Sequence, residues 1–163
     1  MKARNTAPFL ILPVLAVLSA APALAQGTAK IEYRGWGARV GVSSEPDQVY
    51  GGAHWDLGEF ARNVRFRPNL EVGFGDHVKV LQANAEVHYV FSKVQVWKPY
   101  VGGSAGFVYA DPDTGDSDTE IGAMGVGGIE TKLKSATSFF IEAKVGLTNN
   151  DPDFKVGVGW TWK

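Results

Sequence analysis

The chain has no cysteine, which excludes a disulfide framework and any thiolate chemistry. It also lacks an excess of positive charge, with 16 basic against 17 acidic residues. A general nucleic-acid binder would carry a basic surplus. Past residue 25 there is no long apolar run, so any membrane insertion of that part must use strands, not a helix. There is no Gly-x-Ser-x-Gly, Walker A or zinc-type spacing, and the glycine runs near Gly102 and Gly125 precede no helix that could hold a phosphate.

The first 25 residues are of another kind. Lys2 and Arg4 give a positive start, Phe9 to Leu18 is apolar apart from Pro13, and Ala23-Leu24-Ala25 has the small-x-small form that precedes a cleavage point. The apolar run is too short to span a bilayer, which takes about 20 residues. Residues 1–25 are therefore expected to be a secretory signal peptide, with Gln26 as the new N-terminus. Their removal leaves 138 of the 163 residues and moves the net charge from −1 to −3, because Lys2 and Arg4 are lost and no acid is. The remaining stretch, 26–163, is expected to be one domain without a linker.

What fills that domain is alternation with period two, together with 20 glycines and many aromatic residues. Turn-forming clusters at Ser43–Asp47, Gly58–Asn63, Gly75–His77, Ser92–Val94, Asp111–Asp118, Lys134–Ala136 and Asn149–Asp153 divide it. Seven connections predict eight strands, over 33–42, 48–57, 64–74, 78–91, 95–109, 119–133, 137–147 and 154–163. In the third, Val64, Phe66, Pro68, Leu70, Val72 and Phe74 share one face, and Arg65, Arg67, Asn69, Glu71 and Gly73 share the other. In the fourth, Val78 and Val80 are out of step with Leu81, Ala83, Ala85, Val87, Tyr89 and Phe91, which predicts a β-bulge near Val80. The sixth is ambiguous, because Met124 and Val126 fall on its polar face. Pro68 and Pro99 cannot donate to a ladder, and a local irregularity is expected at Pro68. Over the central parts of these strands the apolar faces hold no charged residue and the polar faces hold 14.

Alternation alone fits two opposite barrels. A soluble, lipocalin-like barrel turns its apolar face inward, whereas a membrane barrel turns it toward lipid. Three features favour the second. Twelve glycines lie on the polar faces and four on the apolar ones, and a narrow eight-stranded interior needs such room for long charged side chains. The polar-face charges are six acids against eight bases, close to the pairing a buried interior demands. The apolar-face aromatics gather at two levels, as in a lipid slab with two interfaces. Trp36, Trp55, Phe66, Tyr89, Phe91, Trp97, Phe139, Trp160 and Trp162 fall at one end, and Phe74, Phe107, Tyr109 and Phe154 at the other. The predicted fold is all-β: an eight-stranded antiparallel up-and-down transmembrane β-barrel.

The stretches Trp97-Lys98-Pro99-Tyr100-Val101-Gly102-Gly103-Ser104-Ala105-Gly106, Phe140-Ile141-Glu142-Ala143-Lys144-Val145-Gly146-Leu147 and Asp153-Phe154-Lys155-Val156-Gly157-Val158-Gly159-Trp160-Thr161-Trp162 resemble strands of small outer-membrane barrels of the OmpA and OmpX type. The resemblance implies a Gram-negative outer-membrane location and insertion by the barrel-assembly machinery, which reads an aromatic-ended final strand. Here Lys163 follows Trp162. The periplasmic peptidoglycan-binding domain of the OmpA type is not expected, since the sequence stops at the barrel.

Several groups invite a chemical reading. Arg39, Arg65, Arg67, Glu71, Glu86, Glu130, Lys132, Glu142 and Lys144 form an expected interior ionic cluster that plugs the lumen. Trp36, Trp55, Tyr89, Phe91, Trp97, Tyr109, Trp160 and Trp162 form the expected aromatic girdle. His54 and His88 sit on polar faces, and His77 in a turn. Lipid A deacylases of similar architecture use a His-Ser pair on a late strand, and Gly146-Leu147-Thr148-Asn149-Asn150 has neither. The acidic run Asp111–Asp118 departs from an EF-hand at Gly115 and Gly122. The sequence therefore predicts no catalytic, metal or cofactor site. It predicts a monomer in contact with outer-membrane lipid and lipopolysaccharide, with a structural or surface-contact role. The alternatives are a lipid-modifying enzyme, a narrow transporter and a soluble periplasmic binding barrel.

Overall fold

The computed structural model describes residues 31–163 except 46, 76–77, 113–116 and 134–135. The expected leader, His77 and the middle of the acidic run lie outside the described residues. Nine strands follow in chain order: β1 (Gly35–Ser44), β2 (Gln48–Asp56), β3 (Glu59–Ala61), β4 (Val64–Gly75), β5 (Val78–Val90), β6 (Trp97–Pro112), β7 (Asp118–Lys132), β8 (Thr137–Gly146) and β9 (Phe154–Trp162). The eight long strands match the predicted ones within about three residues. The ninth is the three-residue β3, formed within the expected turn.

Each long strand pairs antiparallel with the next. β1 also pairs with β9, and β2 pairs with β4, so the sheet is a closed eight-stranded barrel. Closure gives every long strand a neighbour on both sides, which removes the open edges that lipid would not tolerate. The turns use residues suited to them. Asn63 takes φ 63° between β3 and β4, a left-handed conformation that asparagine accepts readily.

Of two expectations about strand irregularity, the one at Val80 is revised. The register of β4 with β5 runs unbroken from Val64↔Tyr89 to Gly75↔Val78, and that of β5 with β6 is equally regular. There is no bulge at Val80. Val80 faces inward and is buried, and Lys79 faces outward at the end of the strand. The apolar residue simply belongs to the lumen at its mouth. The irregularity at Pro68 is real and lies on the side toward β2. The β2–β4 ladder ends at His54↔Asn69. Beyond it, the Leu57 N–H donates to the Phe66 carbonyl at 3.1 Å and the Phe66 N–H donates to Gly58 at 3.0 Å. Phe66 and Pro68 are two residues apart and face the same neighbour, so the donor missing at Pro68 falls where the ladder breaks. Two residues opposite Phe66 make the bulge there, with Gly58 at φ 79°. Pro99 sits where β5 has ended, and its carbonyl still accepts from Phe91 N–H at 2.9 Å.

The faces are sorted as a membrane barrel requires. Among the described residues, 29 large apolar side chains are exposed and only ten apolar residues are buried, while charged and amide side chains fill the interior. This inverts the ordinary soluble arrangement. Leu70 is 46% exposed, whereas Arg67 is 0% exposed, so the lipocalin-like orientation is overturned. Val64, expected on the outer face, is buried next to Ala61, where β3 folds against the end of β4.

Candidate functional site

Among the described residues, chemistry-bearing side chains converge in the lumen, and strand alternation places them there. Arg39 on β1, Glu71 on β4, Glu86 on β5, and Glu142 and Lys144 on β8 occupy inward positions around the ring. Arg39 Nη1 lies 3.1 Å from Glu71, 3.0 Å from Glu86 and 3.2 Å from Glu142. Lys144 Nζ reaches Glu71 at 2.9 Å and Glu142 at 3.6 Å, and also contacts Glu86. Lys155 on β9 pairs with Glu71 and donates to Gln82 at 2.8 Å. Three cations and three carboxylates thus form one neutral cluster. Neutrality is what makes burial tolerable, because an unpaired charge at this depth is very costly.

A second cluster lies toward the end of the barrel where β1 begins and β9 ends. Arg65 grips Glu130 with two bonds of 2.7 and 2.8 Å, and Arg67 adds a third at 3.1 Å. A planar fork on a carboxylate is the strongest ion-pair geometry available. Aromatic rings sit between the two clusters. The Arg67 guanidinium lies 4.9 Å from the Phe140 ring centroid, a cation–π contact. The Tyr100 hydroxyl donates to Glu142 at 2.7 Å, and His88 stacks on the Tyr100 ring at 4.8 Å. Val90, Tyr100, Val126 and Phe140 are the buried apolar knot.

Glycine provides the space for these rings. A Cβ at Gly128 would overlap the Tyr100 ring, and one at Gly159 would overlap Phe140. Small residues on one strand therefore receive large ones from its neighbours, which is how a narrow barrel fills without voids.

Eight of the nine residues expected in the interior cluster are there. The exception is Lys132, which is exposed at the end of β7, where the lumen has opened to the outside. The sequence reading did not place Lys155, Tyr100, Phe140 or His88 in the ionic cluster. All four share the inward phase of their strands, which was the available signal. Met124 and Val126 are buried inside, so the ambiguous strand keeps its phase. The aromatic girdle faces outward. Trp36 and Trp162 lie 5.0 Å apart and Phe139 and Trp160 5.3 Å apart, while Trp55 is only half-buried.

His54 faces the Thr161 hydroxyl at 2.9 Å, a base–hydroxyl pair; both are buried, and among the described residues no carboxylate bonds the other ring nitrogen. Glu86, His88 and Glu142 bring ligand atoms within 4.8 Å of one another, a grouping that could hold a metal ion. Arg39 and Lys144 already supply positive charge to those carboxylates.

No protein-family model and no curated protein matches the chain. Among solved structures, Neisserial surface protein A is similar at a TM-score of 0.62 and 15% identity, over 78% of this chain and 94% of that one. A de novo designed transmembrane β-barrel is similar at a TM-score of 0.47 and 18% identity, over 78% and 93%. Closed ring, outward apolar face and ionic lumen together give this chain the fold of the small eight-stranded transmembrane barrels, as seen in Neisserial surface protein A.

Proposed function

We propose that the protein is an integral outer-membrane barrel, exported through the secretory pathway, that acts as a structural or surface-contact element and has no enzymatic centre. The observation that carries this reading is the pairing of an apolar exterior with a neutral, ion-paired interior. A solid lumen conducts no solute and exposes no reactive group. Eight strands leave an interior filled by its own side chains, and His54 and His88 are both 0% exposed. The partners that follow are outer-membrane lipid and lipopolysaccharide around the barrel, and the barrel-assembly machinery during insertion. The apolar face suits a monomer in lipid.

Cell fractionation tests the proposal. The protein is expected in the outer-membrane fraction, resistant to alkaline extraction, and faster on a gel before boiling than after. Recovery in the soluble periplasm without detergent would overturn it. Assay of the purified protein for release of acyl chains from lipopolysaccharide is expected to show none. Activity that is lost on His54→Ala or His88→Ala would replace the structural reading with an enzymatic one.

A further inference from the structure

The seam where β1 meets β9 ends in an open crevice of about 430 Å³, lined by Tyr33, Arg34, Gly35, Trp36, Trp162 and Lys163. Its apolar wall is the Trp36–Trp162 pair, with ring centroids 5.0 Å apart and planes at 47°. Tyr33 is 61% exposed beside it. Two cations stand at its rim. The Arg34 backbone N–H donates to the Asp56 carbonyl at 2.8 Å, which fixes the segment against β2. The exposed Arg34 guanidinium has no ion-pair partner among the described residues. The Lys163 N–H donates to Ala136 at 3.1 Å, and its ammonium lies 4.0 Å from Asp56 Oδ2.

We infer that this crevice binds an anionic phospholipid, with the headgroup phosphate at Arg34 and Lys163 and an acyl chain along Trp36 and Trp162. The inference rests on the membrane reading above. Tryptophan settles at the level of lipid headgroups. The planar guanidinium matches a phosphate with two parallel hydrogen bonds. Arg34, unpaired and two residues before Trp36, and Lys163, next to Trp162, therefore meet the headgroup while the rings meet the acyl chain. A soluble anion would engage only the cations and leave the rings unused, so the lipid is the occupant. The start of β1 and the end of β9 lie at this end of the barrel. In the proposed orientation this end meets the inner, phospholipid leaflet.

Native mass spectrometry of the full barrel in neutral detergent, titrated with equal phosphatidylglycerol and phosphatidylcholine, reads this out. The folded protein is expected to retain phosphatidylglycerol about fivefold better, the factor that one juxtamembrane cation supplies. Arg34→Gln with Lys163→Gln should abolish the preference, and Lys93→Gln, in an exposed turn at the same end, should leave it unchanged. Inorganic phosphate should not displace the lipid. Equal retention of the two lipids by the folded barrel would overturn the site while leaving the membrane reading intact. So would an equal loss on Lys93→Gln, or displacement by phosphate alone. A chain that does not fold in detergent or enter vesicles would overturn both.

Discussion

Arg39 and Lys144 draw on the same three carboxylates. Each reaches Glu71, Glu86 and Glu142, Arg39 from β1 and Lys144 from β8, the two strands that flank β9. The two cations are therefore not independent, and neither can be removed without leaving negative charge uncompensated in the lumen.

The first prediction follows from that sharing. Arg39→Met should destabilise the folded barrel by about 3–5 kcal/mol, the cost of breaking a buried pair and stranding its partner. Adding Glu142→Gln should recover part of the loss, because the second change restores neutrality. Urea unfolding in lipid vesicles gives both values, and the double-mutant comparison isolates the coupling. Simple additivity would mean that the cluster does not act as a unit.

A second prediction concerns filling. Gly159→Val should cost about 1–3 kcal/mol, because the new side chain overlaps the Phe140 ring and the Ala38 carbonyl. Phe140→Ala in the same background should relieve part of that strain. If Gly159→Val is silent in unfolding experiments, the ring does not occupy the place assigned to it.

The exterior gives a third. Leu70 is exposed in the middle of β4, and Val42 lies near the far end of β1. Leu70→Arg should cost about 2–4 kcal/mol in a bilayer, and Val42→Arg about 0–1, since the penalty falls with distance from the midplane. Unfolding free energies that do not differ between the two positions would remove the lipid from the account.

A fourth prediction addresses passage. Planar-bilayer recording should give no stable open level, because Arg67, Tyr100, Phe140 and Lys144 are each fully buried in the lumen. A large and steady conductance would contradict a filled interior.

Much of this was legible in the sequence, and the reasons for the exceptions are physical. The strict alternation from Val64 to Phe74 places Arg67 inside and Leu70 outside without any coordinates. The positions that misled are those where polarity and direction part company. Val80, Met124, Val126, Tyr100 and Phe140 are apolar or aromatic but point inward, because a lumen needs volume as well as paired charge. Reading direction from polarity alone turned Val80 into a bulge. Lys132 is polar and has the inward phase, but at the end of β7 that phase no longer leads to a closed interior. The three-residue β3 is too short for periodicity to register, and its presence depends on the break that Pro68 makes in the neighbouring ladder. The partners of each carboxylate were not legible either. Which cation meets Glu71 or Glu130 is set by the register of strands distant in sequence, and not by any local spacing.

The central claim is that apolar side chains face lipid while ionic ones are enclosed. The absence of cysteine allows single spin labels to be placed without background. Leu70→Cys and Ile141→Cys, at exposed positions in the middle of β4 and β8 and each labelled in vesicles, should be accessible to oxygen dissolved in the bilayer and shielded from a water-soluble nickel complex. Labels at those two positions that contact the nickel complex, and not the dissolved oxygen, would contradict the account.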